Sequence, residues 1–306
     1  MTVIPFRRRR RHEPAVPVQP VAAPPGDAIV FSGGGSLGAA QAGALRALFE
    51  AGIRPDLVVG CSVGALNAAF IAVEPTPARV AELQRVWLAL RYRDVFPDGR
   101  FDVARRLVGR TDHLQSPHAL LDLIARCVPV DDLADTRVPC HVATTDLLAG
   151  EACWWDAGDP ARVLLASAGL PLLFPPVELG GSLHVDGGVT CPVPVQRALD
   201  LGARRVWVLD VSSEFHGWGD GAMSALDVLL ESFAVTRSLL ARQDPTLGQG
   251  QQVFTLPPLG VGRHDLRDFN RTHQLLAAGF AAGRAMVAEA LGGEAPSGDV
   301  SLSAGF

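Results

Sequence analysis

The chain has 306 residues, 48% hydrophobic and 19% charged, with a formal net charge of −5, a composition that suits a globular domain with a substantial core and offers nucleic acid no global attraction. No apolar run reaches the ~18–20 residues that a membrane-spanning helix needs. The cysteines, Cys61, Cys127, Cys140, Cys153 and Cys191, form no C-x-x-C pair, which points away from a disulfide framework or a zinc site and toward a reducing, cytoplasmic setting.

Residues 1–26 combine five arginines, Arg7 to Arg11, with Pro-Ala-Val-rich sequence. This stretch cannot pack a core and reads as a disordered arm. No apolar segment follows the arginines, so they do not read as a signal peptide. A solvated tail is the plain interpretation; the functional one is peripheral contact with an anionic membrane, at about 1 kcal/mol per arginine.

Ordered sequence begins at Asp27 with the buried strand Ala28-Ile29-Val30-Phe31. The turn Gly33-Gly34-Gly35-Ser36-Leu37-Gly38 follows, and then a helix over 39–51. The turn satisfies G-x-G-x-x-G, but a dinucleotide site needs an acidic residue at the end of the second strand. That strand, 56–60, ends instead in Gly60-Cys61-Ser62. A phosphate-binding P-loop needs a lysine, and the chain has none. Three consecutive glycines exceed what close packing requires. Their exposed N–H groups at a helix N-terminus form a ready anion site.

Gly60-Cys61-Ser62-Val63-Gly64 is a G-x-S-x-G pentapeptide between that strand and a helix over 62–73. In this context a serine is lifted from the sheet edge as a nucleophile, and the glycines leave room for the elbow. Ser62 is the candidate nucleophile, and the nearby anion site suits the oxyanion of a tetrahedral intermediate.

Helices are expected over 78–91 and 117–128, with 92–115 unassigned. A strand over 138–145 is expected to pair with 151–155, placing Trp154 and Trp155 in the core. A helix over 159–168, the strand Leu183-His184-Val185, a helix over 193–201 and a strand over 205–211 follow. Beyond them come a helix over 222–242, a strand at 253–255 and a helix over 267–291. Strands alternating with helices imply an α/β fold whose mostly parallel central sheet is flanked by helices on both faces. The tail after Gly292 reads as flexible.

A serine nucleophile needs a base. The order Ser62, Asp186 and His264 or His273 could be fitted to an α/β-hydrolase, but only one strand precedes the elbow, and His273 lies in a helical pattern. Asp186 has the better context, ending an apolar strand before Gly187-Gly188, although an Asp-Gly pair also suits a simple hairpin turn.

Together, Phe31-Ser32-Gly33-Gly34-Gly35-Ser36-Leu37-Gly38 with Gly43, the Ser62 pentapeptide, the segment 166–177 and Asp186-Gly187-Gly188 resemble the patatin-like phospholipases. The resemblance implies a three-layer, patatin-like catalytic domain over 27–292, with 293–306 as tail. It implies a Ser–Asp dyad in which Ser62 attacks an ester carbonyl and Asp186 is the general base. Gly33, Gly34 and Gly35 would form the oxyanion hole, with Gly38, Gly60, Gly64, Gly187 and Gly188 supporting the motifs. It further implies lipid or another acyl ester as substrate, and no metal or organic cofactor. One departure is Leu37, where the family's loop often carries Arg or Lys; an arginine elsewhere could compensate, and the sequence does not say which. The alternative function is a catalytically weak protein of this fold that binds lipid or a partner.

Overall fold

The computed structural model describes residues 26–99, 102, 103, 105, 106, 109, 111–211, 225–241, 244–262 and 265–292. The arginine arm, the C-terminal tail and His264 lie outside them. The strands are β1 (Asp27–Phe31), β2 (Leu57–Cys61), β3 (Cys140–Asp146), β4 (Glu151–Trp155), β5 (Val177–Leu179), β6 (Ser182–Asp186), β7 (Arg205–Leu209) and β8 (Gln252–Thr255). Among the described residues the longer helices are α1 (Gly38–Glu50), α2 (Val63–Val73), α3 (Pro77–Ala89), α4 (His118–Cys127), α5 (Pro160–Ala168), α6 (Val195–Asp200), α7 (Ala225–Ala241) and α8 (Thr272–Ala290).

The strands form one mixed sheet in the order β5-β6-β3-β2-β1-β7-β8, with β4 also paired to β3. Strands β3, β2, β1, β7 and β8 run parallel, and the central β1, β2 and β7 carry the near-continuous apolar runs of strands covered on both faces. Side chains alternate between two cores. Ile29, Phe31, Val58, Trp207 and Leu209 face the larger, with α1, α2, α3 and α8. Ala28, Val30, Leu57, Val59, Val206 and Val208 face the smaller, against Ala198 and Leu199 of α6. This gives the expected three layers, with unequal outer ones.

Helix α8 lies against α1 because Gly279 and Gly283 approach the backbone of Ala40 and Ala44 closely. Trp154 and Trp155 are half-buried on β4, because β4 closes that edge of β3; the Trp155 indole donates to Thr144 Oγ1 at 2.9 Å. Among the described residues no helix is long and apolar enough to cross a membrane.

Candidate active site

Strand β3 pairs with more than one neighbour along the same edge. Its residues 142–146 pair with β4 on one side, so β2 and β6 must share the other. There Cys61 pairs with Ala143, and Asp186 with the next residue, Thr144. The end of β2, where the serine elbow begins, is thereby held beside the end of β6.

Ser62 has φ 56° and ψ −130°, a conformation that costs a non-glycine residue on the order of 1–3 kcal/mol. The flanking glycines are explained by contact. A Cβ on Gly60 would lie 2.5 Å from the Ala65 Cα, and one on Gly64 would strike the carbonyl oxygens of Phe31 and Ser32. The Ser62 N–H donates to Ser167 Oγ at 3.0 Å, and that hydroxyl donates to the Ala143 carbonyl at 2.6 Å. Ser167, from α5, thus braces the elbow against β3.

The Ser62 hydroxyl donates to Asp186 Oδ2 at 2.7 Å. Asp186 Oδ1 accepts the Gly188 N–H at 2.7 Å. Its backbone is fixed at both ends: its N–H donates to Gly169 O at 3.0 Å, and its carbonyl accepts Thr145 Oγ1–H at 2.9 Å. The Asp-Gly pair opens a short 3-10 turn, Gly187–Val189, rather than a hairpin. Asp186 is buried, and burial pushes its pKa above the ordinary carboxylate value. The Ser62 hydrogen bond, the positive charge of Arg237 and the Gly188 N–H act in the opposite direction.

Within the glycine loop, the Gly33 N–H donates to Pro192 O at 3.0 Å. The N–H groups of Gly34 and Gly35 have no acceptor among the described residues. The loop is anchored by a buried polar chain. Gln41 Nε2 donates to Ser32 O at 2.8 Å and Leu209 O at 3.0 Å, and Gln41 Oε1 accepts Asn67 Nδ2–H at 2.9 Å. Asn67 Oδ1 then accepts the Trp87 indole N–H at 3.0 Å. Asn67 thus ties α2 to Gln41 and Trp87, and it also borders the cavity beside Ser62.

That cavity opens to solvent, and its space, open solvent included, is about 880 Å³. Ser62 and Gly35 border it; most of the remaining wall is apolar, including Leu66, Phe70, Trp87, Leu120, Ile124 and Phe269.

The other acid–base candidates lie elsewhere. His273 is exposed on α8, and His264 is outside the described residues. His184 points its Nδ1 at Thr144 Oγ1, 3.0 Å away. His141 is buried beside Arg197, and burial with that positive charge pushes its pKa down to about 4. Cys61 is fully buried, and burial holds its thiol protonated, so it fills the elbow as a small residue. Sequence reasoning missed two contributors to the site, Ser167 and Arg237. Ser167 lies in a segment already singled out for the family resemblance, whereas nothing local to Arg237 marks it.

A family model described as patatin-like phospholipase matches residues 29–199. The chain belongs to the patatin-like phospholipase family. Curated relatives of this patatin-like chain include patatin-like phospholipase domain-containing protein 6 of Mus musculus, 30% identical over 61% of this chain and 14% of that protein. The lysophospholipase NTE1 of Mycosarcoma maydis is 28% identical over 60% of this chain and 10% of its own length. The chain therefore spans a small part of the relatives it matches. Among solved structures, VipD from Legionella pneumophila aligns with TM-score 0.46 and 13% identity over 88% of this chain and 67% of that one. Human GIVD cytosolic phospholipase A2, in complex with methyl gamma-linolenyl fluorophosphonate, aligns with TM-score 0.44 and 13% identity over 88% and 58%.

Proposed function

We propose that this chain is a serine lipid acyl hydrolase of phospholipase A or lysophospholipase type, acting through a Ser62–Asp186 dyad. One observation carries the reading: the Ser62 hydroxyl is bonded to a buried carboxylate at 2.7 Å beside an apolar cavity. The cavity suits a fatty acyl chain, and the family membership supports an acyl-ester substrate.

Asp186 takes the Oγ proton as Ser62 attacks the ester carbonyl carbon. The N–H groups of the glycine loop hold the resulting oxyanion; with Gly33 engaged by Pro192, the free donors are those of Gly34 and Gly35. Collapse of the intermediate breaks the ester C–O bond, and the leaving alcohol takes the proton from Asp186. Water then gives a proton to Asp186 and attacks the acyl-serine. When the second intermediate collapses, Ser62 recovers that proton and a fatty acid leaves. The raised pKa suits Asp186 to accepting a proton, and the Ser62 bond already points that proton at it.

Labelling with a long-chain fluorophosphonate, followed by peptide mass spectrometry, tests the assignment. Modification of Ser62 in wild type, absent in Ser62→Ala, is the expected result. A folded wild-type protein that hydrolyses no acyl ester and takes no label would favour a lipid- or partner-binding role instead.

A further inference from the structure

The glycine loop brings no basic side chain to the site, because Leu37 is buried in the apolar core. A cation arrives from another element. Arg237, on α7, is only 5% exposed. A Cβ on Gly33 would lie 3.3 Å from Arg237 Nη2 and 3.2 Å from Ser62 Cβ. A Cβ on Gly188 would lie 2.9 Å from Asp186 Oδ1, 3.4 Å from Arg237 Cδ and 3.5 Å from its Nε. The Arg237 side chain therefore passes Gly188 and ends over Gly33, on the side of Ser62. Both glycines keep that path open.

The guanidinium has no carboxylate bonded to it among the described residues, and its buried Nε has no acceptor. The Phe233 ring lies nearby, with Cζ 5.8 Å from its centroid. A buried, unbonded cation is costly unless an anion forms or binds beside it.

We propose that Arg237 is the counter-charge of the Ser62–Asp186 pair, remaining beside the site's single negative charge as it moves from the carboxylate to the oxyanion. The inference rests on the dyad proposed above. When Ser62 attacks, its proton neutralises Asp186 and the negative charge appears on the carbonyl oxygen; no net charge enters or leaves. A fixed cation within reach of both positions stabilises the transition state without having to reorganise, in a buried site where such an interaction is strong. Arg237 also favours the ionised form of Asp186, against burial. Among the described residues, the other titratable group that interacts electrostatically with Asp186 and Arg237 is Cys61, which itself interacts with Cys191. Burial raises both thiols, Cys191 to about 11, so neither carries charge in the acidic range.

The test is the pH dependence of kcat/KM for a neutral short ester, p-nitrophenyl butyrate, in wild type, Arg237→Gln and Arg237→Lys, with melting curves for each. Arg237→Gln is expected to lose about 10²–10³ in kcat/KM, the scale of one lost oxyanion donor, and to shift the acidic limb to higher pH. Arg237→Lys keeps the charge but not the planar fork; it should leave the limb in place and recover about tenfold over Gln. If Arg237→Gln does not fold, Arg237→Lys decides alone: an unmoved limb with a lowered kcat supports the proposal, and a limb shifted upward overturns it. Wild-type rate and limb in Arg237→Gln would overturn it too, including when that variant loses activity only on vesicles of anionic phospholipid, which would make Arg237 a headgroup contact. Hydrolysis absent from wild type would refute the dyad reading and this proposal with it. Hydrolysis abolished by Ser62→Ala but untouched in Arg237→Gln would refute only this proposal.

Discussion

Asp186 follows Cys61 along one edge of β3: Cys61 pairs with Ala143, and Asp186 with Thr144. Ser62, the next residue after Cys61, turns out of the strand at φ 56° and meets the Asp186 carboxylate at 2.7 Å. Residues 124 positions apart are thus brought together by register in one sheet.

The Ser62 backbone sits where glycine is at ease and serine is not. Ser62→Gly is expected to abolish ester hydrolysis while raising stability by about 1 kcal/mol. Urea denaturation and activity on the same preparation check both effects. A destabilised Ser62→Gly would mean that the elbow is held by the side chain rather than strained.

Burial raises the pKa of Asp186 above its usual 3.8. The folded state therefore binds this proton more tightly than the unfolded chain does. The stability contributed by the group is fully present below 3.8 and is lost as pH rises through the raised value. At pH 7 the ionised carboxylate works against folding, and Asp186→Asn should melt higher than wild type. Melting curves from pH 4 to pH 8 should show that difference shrinking toward the acid end. A difference that grows as pH falls would contradict the sign.

Gln41 satisfies the Ser32 and Leu209 carbonyls and the Asn67 amide, all in the interior. Gln41→Leu removes these bonds; Leu209 O keeps the Ser32 Oγ–H and Asn67 Nδ2 keeps Gly38 O, so the cost falls mainly on Ser32 O, at about 1–3 kcal/mol for an unsatisfied group. A loss of ~1–3 kcal/mol in urea denaturation is expected, with reduced activity as the glycine loop loosens. Near-wild-type stability would show that the network can rearrange.

An acyl chain in the cavity should gain about 0.8 kcal/mol per buried CH₂, roughly fourfold in kcat/KM for each, until the space is filled. Ile124 lines that space. Ile124→Trp should lower kcat/KM for long-chain esters about tenfold or more while leaving butyrate esters within about threefold. An equal loss at every chain length would place the acyl chain elsewhere.

Much of this molecule is legible in sequence because its signals are local. Buried parallel strands are unbroken apolar runs, so β1, β2 and β7 stand out. The elbow needs glycine for contacts within a few residues of Ser62. What was illegible depends on distant segments meeting. Strand β5 is three residues long after Pro175-Pro176, too short for a pattern, although Gly180-Gly181 marks its turn. The Gly33 N–H is taken by Pro192, across the fold. Arg237 is one arginine among 27 until α7 brings it to Gly33 and Gly188.

The most direct test of the Ser62–Asp186 pair is long-chain acyl ester turnover by Asp186→Asn, measured against wild type on protein with a confirmed cooperative melt. The dyad predicts a loss of about 10³-fold or more, because no other base lies within hydrogen-bond reach of Ser62 among the described residues. Turnover near the wild-type rate in folded Asp186→Asn would contradict it and return the base to another residue, His264 first among them.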